Sequence, residues 1–218
     1  MRTIRVTGKG QIKVHPDMTR ITITLEGKNF DYGITLKRSS EATEEMKELL
    51  LPFGFECSDL KTLSFGVDSE YVSYKEKDEY KRRFDGYKYT HIMKVEFDSD
   101  NKRLGKILYA LAHCSLNPEF RISYTVKDPE AVKNELLGKA VRDAIAKAGV
   151  LASAAGLNLG EIQSVDYSWG QVRFEVEPMD KCMMTELPCS GEGAAYDMDI
   201  EPDDIDVQDT VTVVWEIA

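Results

Sequence analysis

The stretch from Asp128 to Trp169 constrains the fold most, because it reads as a long amphipathic helix followed by an alternating strand. Asp128 stands at the N-cap position, where its carboxylate can accept an unpaired backbone N–H, and Pro129 follows with its φ already helical. Val132, Leu136, Leu137, Ala140, Val141, Ala144, Ile145, Ala148, Leu151, Ala152 and Ala155 recur in steps that keep one broad apolar stripe. Lys133, Glu135, Lys139, Arg142, Asp143 and Lys147 fall on the other side, and Gly156 is placed to end the helix in a left-handed cap. So many alanines on the apolar stripe imply close approach to a flat partner, most simply a sheet. Val165, Tyr167 and Trp169 alternate with Asp166 and Ser168, which predicts a half-buried strand returning to that sheet.

The rest of the chain alternates between strand and helix periods. Ile4, Val6, Ile12 and Val14 share a parity interrupted by Gly8 and Gly10, a strand with a bulge or a close neighbour. After His15-Pro16-Asp17, Ile21, Ile23 and Leu25 alternate, and the two strands are expected to form an antiparallel hairpin. Tyr32, Leu36, Ser40, Thr43, Met46 and Leu50 form a helical stripe stopped at Gly54. Leu63, Phe65 and Val67 give a strand, Asp85-Gly86 signals a hairpin turn, and Tyr87 to Phe97 alternate without a break. Leu104, Ile107, Leu108 and Leu111 mark a shorter helix with Ser99 to Asn101 as capping candidates, and Phe120 to Val126 form another strand. Val207, Val211, Val213 and Trp215 close the chain. The order predicts an α+β fold: a mixed, mainly antiparallel sheet of two strand–helix–strand units, helices on one face, with one long helix in the C-terminal part. A single domain over 1–218 is expected, interrupted by an acidic insert at about 175–206.

Charge locates that insert. Residues 175–206 hold eleven acids and one base, which accounts for the whole formal charge of −10 and leaves the remainder balanced. A general basic field for nucleic acid is therefore absent. No run approaches the roughly 18 apolar residues of a membrane span. The opening Met1-Arg-Thr-Ile-Arg-Val leads straight into strand residues, so no signal peptide and a cytoplasmic placement are expected. The four cysteines form no CxxC pair and are expected to be reduced.

Three stretches are candidates for chemistry. His15, His91 and His113 are scattered, no Ser or Cys stands in a nucleophile elbow, and Gly8-Lys-Gly10 lacks the rest of a phosphate loop. His91 alternates with apolar neighbours, which reads more plainly as a satisfied core histidine than as a catalyst. No catalytic residue or cofactor is expected. In the acidic insert, Cys182, Met183, Met184 and Cys189 offer soft sulfur ligands for Cu(I) or a similar metal, but their spacing fits no defined metal motif. A solvated loop is the plainer reading there. The segment from Tyr71 to Tyr89 interleaves Tyr71, Tyr74, Tyr80 and Tyr87 with Lys81, Arg82 and Arg83, while nearby acids nearly cancel the charge. Tyrosine and arginine are enriched at protein interfaces, so this hairpin is expected to be a subunit contact, with the acidic insert of the same or a neighbouring chain as a complementary partner.

Several of these residues together resemble one family. Val6-Thr-Gly-Lys-Gly10 before Pro16-Asp17, the Gly54 and Thr62 region, Asp143-Ala144 through Lys147-Ala148, Leu151-Ala152 and Gly156, Leu159-Gly160-Glu161-Ile162, and the closing Val211-Thr-Val-Val-Trp-Glu-Ile217 resemble the SIMPL-domain family over essentially the whole chain. The resemblance implies an α+β protein of a family of unknown biochemical function, often periplasmic or envelope-associated. Some members are linked to oxidative-stress defence or to large ring-like oligomers, and no catalytic residues are established. The acidic Met/Cys insert and the lack of a signal peptide depart from the family. The expectation is a non-enzymatic, homo-oligomeric interaction or scaffold protein, with protein partners rather than nucleic acid. The alternative is a small-molecule or soft-metal binding protein, or an enzyme whose site forms between subunits.

Overall fold

The computed structural model describes residues 2–76, 79–167, 174–176 and 200–218. The chain is α+β, as expected, and divides into two compact units. One contains the described residues of 1–17, 124–176 and 202–218, and the other those of 18–123 and 177–201.

The first unit is a three-stranded sheet with one long helix. Its strands are β1 (Thr3–Val14), β6 (Leu159–Asp166) and β8 (Ile205–Ile217), in the order β1-β8-β6, and both pairings are antiparallel. Helix α3 (Pro129–Ala154) begins as the sequence indicates, with the Asp128 carboxylate accepting the Ala131 N–H at 2.9 Å. Such a cap contributes about 1 kcal/mol. At the other end Gly156 has φ +68°, Leu157 N–H donates to Ala152 O and Gly156 N–H to Ser153 O, which together satisfy the last carbonyls. The fully buried positions of α3 are Leu136, Ala140, Ala144, Ala148 and Ala152, a single line at steps of four. The wider stripe contracts: Ile145 and Leu151 are about half exposed.

The small residues are matched across the interface. A Cβ placed on Gly8 would land on the Ala140 carbonyl and 2.7 Å from Ala144 Cβ, and one on Gly10 would press on the Leu136 carbonyl. The two glycines of β1 therefore serve as the groove into which the alanine line of α3 seats, not as a bulge or a phosphate loop. Val6, Val211, Val213 and Trp215 flank this contact, and Ile12, Val126, Phe174, Ile205 and Val207 extend it. The Asp143 carboxylate pins the groove by accepting the Lys9 N–H at 2.7 Å and pairing with Lys147. β6 does rejoin this sheet, but its residues are mostly exposed rather than half-buried, because it is the outer strand. Trp169 and Ser168 lie outside the described residues.

The second unit carries β2 (Met18–Asn29), α1 (Tyr32–Leu50), a short 3-10 turn, β3 (Lys61–Glu76), β4 (Glu79–Asp98), α2 (Asn101–His113) and most of β5 (Glu119–Thr125). Its strands run in the order β3-β4-β2-β5. The last residues of β5, Tyr124 and Thr125, belong to the first unit and pair there with β7 (Glu175–Val176). One face of β2 and β4, with Ile21, Ile23, Leu25, Met93, Val95 and Phe97, packs under α1 and α2. Asp31 and Asp100 cap the two helices through their carboxylates.

Three expectations are corrected. β1 and β2 form no hairpin, since β1 pairs with β8 and β2 with β4; the Asp17 N–H donates to Thr125 O and its carboxylate accepts the Lys127 N–H, so the three-residue connection hands the chain from one sheet to another. Alternation specifies a strand but not its partner. The one expected sheet is therefore two. The buried line of α1 is Thr35, Ser39, Ala42, Met46 and Leu50, while Tyr32 and Leu36 turn outward.

Candidate functional site

The tyrosine-rich arm is the outer part of the β3–β4 pair, and β3 is the terminal strand of its sheet among the described strands. Asp85-Gly86 is not its turn. β4 runs through both residues, and the register shifts so that Glu70 pairs with Gly86 but Tyr71 pairs with Phe84, leaving Asp85 as the extra residue of a bulge. Gly86 has φ +113°, and a Cβ there would lie 2.8 Å from Asn29 O, so the position requires glycine. Lys28 holds the bulge by pairing with Asp85 and with Glu70 at 3.1 Å.

The bulge has a consequence for the surface. In an unbroken strand, residues 84 and 87 would face opposite sides; the extra residue places them on one side. Phe84 therefore meets Tyr87 at 5.1 Å, Tyr71 at 5.8 Å and Phe30 at 6.5 Å, and Tyr87 meets Tyr32 at 5.3 Å, all edge-to-face. The Arg82 guanidinium lies 5.5 Å from the Tyr71 ring centre. The result is a connected patch of rings with Phe30 70% and Tyr71 52% exposed.

Of the expected interface residues, Tyr71, Arg82 and Tyr87 join this patch. Tyr74 pairs across from Lys81 on the opposite side of the ribbon with Arg83, and Tyr80, 81% exposed, pairs across from Lys75 farther out. Phe84, Phe30 and Tyr32 are not among the interface residues expected from the sequence. Phe84 is hidden by the parity change at the bulge, and Phe30 and Tyr32 precede or open a helix without any interface pattern.

The histidines have separate local partners. His15 Nδ1 lies 3.2 Å from an Asp204 carboxylate oxygen, and His113 stacks on Tyr109. His91 is 8% exposed, on β4, and reaches Thr43 on α1 and Thr62 on β3. The Thr43 hydroxyl donates to the Ser39 carbonyl at 2.8 Å, so towards His91 it can only accept. Nδ1 of His91 therefore carries the proton and donates to Thr43 Oγ1 at 3.1 Å, and Nε2 accepts from the Thr62 hydroxyl at 2.9 Å. Burial, with a smaller contribution from the Lys47 charge, lowers the His91 pKa below the usual imidazole value. The unfolded chain then binds the proton more readily. This contribution to stability is present above about pH 6.5, the unfolded value, and is lost as pH falls towards the folded pKa. Histidine-selective NMR should show the His91 ring titrating below the usual imidazole range.

Among the described residues, no group of three or more His, Cys, Asp or Glu side chains could hold a metal ion. The sulfur candidates Cys182, Met183, Met184 and Cys189 lie outside the described residues. Among the described residues, no helix is long and apolar enough to cross a membrane.

The family model for SIMPL, protein of unknown function (DUF541), matches residues 4–215, from Ile4 in β1 to Trp215 in β8. The chain belongs to the SIMPL family. This SIMPL chain is 28% identical over 163 residues to the 26 kDa periplasmic immunogenic protein of Brucella melitensis biotype 1, a match that covers 74% of the chain and 65% of the relative. The same figures hold for the protein of that name from Brucella abortus strain S19. Uncharacterized protein YggE of Edwardsiella ictaluri is 23% identical over 212 residues, covering 97% of the chain and 85% of the relative. The SIMPL chain thus spans 65% of the length of the Brucella proteins. Their names contradict the cytoplasmic placement expected from the opening residues, and that expectation is withdrawn. Strand-forming residues at the start report how β1 folds and carry no address.

Proposed function

We propose that this SIMPL chain is a non-enzymatic periplasmic interaction protein that associates with further copies of itself through the ring-bearing arm of β3 and β4. The exposed, interlocked patch of Phe30, Tyr32, Tyr71, Phe84 and Tyr87 supports this reading. Connected aromatic surface with arginine at its margin has the composition of an interface core, and rings already held by one another lose little freedom when covered. One of its rings, Tyr71, lies on β3, the outermost strand of its sheet among the described strands, where a second chain has room to approach. The periplasmic setting follows the names of the Brucella relatives.

The basic residues of the arm test the proposal independently of its rings. Reversing charge at Lys81, Arg82 and Arg83 leaves the buried core untouched, since all three are exposed. Sedimentation velocity should show weaker self-association with greater salt sensitivity, by roughly tenfold in Kd or about 1.4 kcal/mol. An unchanged distribution of species would count against the arm as the contact.

A further inference from the structure

The hydroxyl-lined cavity over His91 is a site that the assembly reading does not use. It is an open cleft of about 370 Å³ between α1 and the β3–β4 pair, with Leu36, Thr62 and Phe65 exposed at its mouth. Of its polar side chains, those of Thr43, Thr62 and His91 have assigned directions, and the Ser39 and Ser40 hydroxyls line it as well. Thr62 lines the cavity and gives its only hydroxyl proton to His91 Nε2, because His91 Nδ1 is committed to Thr43. The free lone pairs of Thr62 Oγ1 are therefore acceptors, not donors. Glu44, on the same wall, is paired with Lys47 at 2.8 Å, so that margin has no net charge, and the imidazole is neutral. Leu36 and Phe65, 38% and 47% exposed, supply apolar wall, and Phe65 is steadied edge-on against His91 at 5.2 Å.

We infer that this cavity binds an uncharged small molecule of the phenol or aromatic-alcohol class, its ring against Leu36 and Phe65 and its hydroxyl donating to Thr62 Oγ1. The relay from Thr62 through His91 to Thr43 and the Ser39 carbonyl fixes that acceptor. A ligand with the same ring but no donor forgoes that hydrogen bond and leaves the exposed Thr62 oxygen to water. The inference stands apart from self-association, and either can fail without the other.

Phenol and anisole make a matched pair of probes, since methylation removes the donor and keeps the ring. Titrated into the ¹⁵N-labelled chain, phenol should give saturable shifts centred on Thr43, Thr62 and His91, with anisole binding at least fivefold more weakly. Thr62→Val, at an exposed strand position that tolerates a branched side chain, should abolish that preference, and Thr62→Ser should restore it. Shifts that fail to saturate or that fall elsewhere, equal binding of the two probes, or a preference that survives in Thr62→Val would each overturn the assignment.

Discussion

Gly8→Ala should destabilise the three-stranded unit by about 3 kcal/mol or more, an effect at the upper end for overpacking. The added methyl would meet backbone of α3 at Ala140 and Ala144, not the mobile end of a side chain. Relief requires the helix to move off the sheet, and the line of alanines has no longer side chains to fill the gap that opens. Because each kcal/mol moves the melting temperature of a chain this size by roughly 2–4 °C, the midpoint should fall by about 6–12 °C. Gly149→Ala on the same helix is the contrast. Nothing lies within 4 Å of its Cβ position, and alanine is the better helix former by about 1 kcal/mol, so this variant should melt slightly higher. Equal melting of the two variants would show that the glycine groove does not set the distance between α3 and the sheet.

Phe84→Ser should have the reverse profile, with little change in melting and a large loss of assembly. Phe84 is the ring that joins Phe30, Tyr71 and Tyr87, yet it is 36% exposed and outside the buried core of its unit. Truncation of a central aromatic in an interface typically costs 2 kcal/mol or more, which corresponds to a Kd about 30-fold higher. Analytical ultracentrifugation over a concentration series reads this directly, with circular dichroism as the check on folding. Loss of fold in Phe84→Ser would mean that the ring belongs to the core instead of to the surface.

The contrast between these two residues reflects what an amino-acid pattern can carry. The long helix was legible because its determinants are local: Asp128 at the cap, Pro129 behind it, apolar steps of three and four, and Gly156 at the end. The match between Gly8, Gly10 and the alanines was half legible, as small residues on two separate elements whose meeting only the fold establishes. Strand pairing was not legible. Alternation in β1 and β2 reports which side is apolar, and nothing in it distinguishes β8 or β4 from the neighbour along the chain. The patch was hidden for a related reason. Asp85-Gly86 has the chemistry of a turn and of a bulge alike, and only the bulge puts Phe84 beside Tyr87. His91 was read from its apolar neighbours as a satisfied core residue, and it is satisfied by Thr43 and Thr62; that these hydroxyls also line a cavity depends on α1 turning Leu36 outward.

Self-association through the arm is the central claim, and the molar mass of the unmodified chain in solution tests it most directly. Light scattering coupled to size-exclusion chromatography, at low and high salt, should give a discrete multiple of the chain's 24.6 kDa, with Phe84→Ser shifted towards the single chain. A mass of 24.6 kDa for the unmodified protein at every concentration and salt would contradict it.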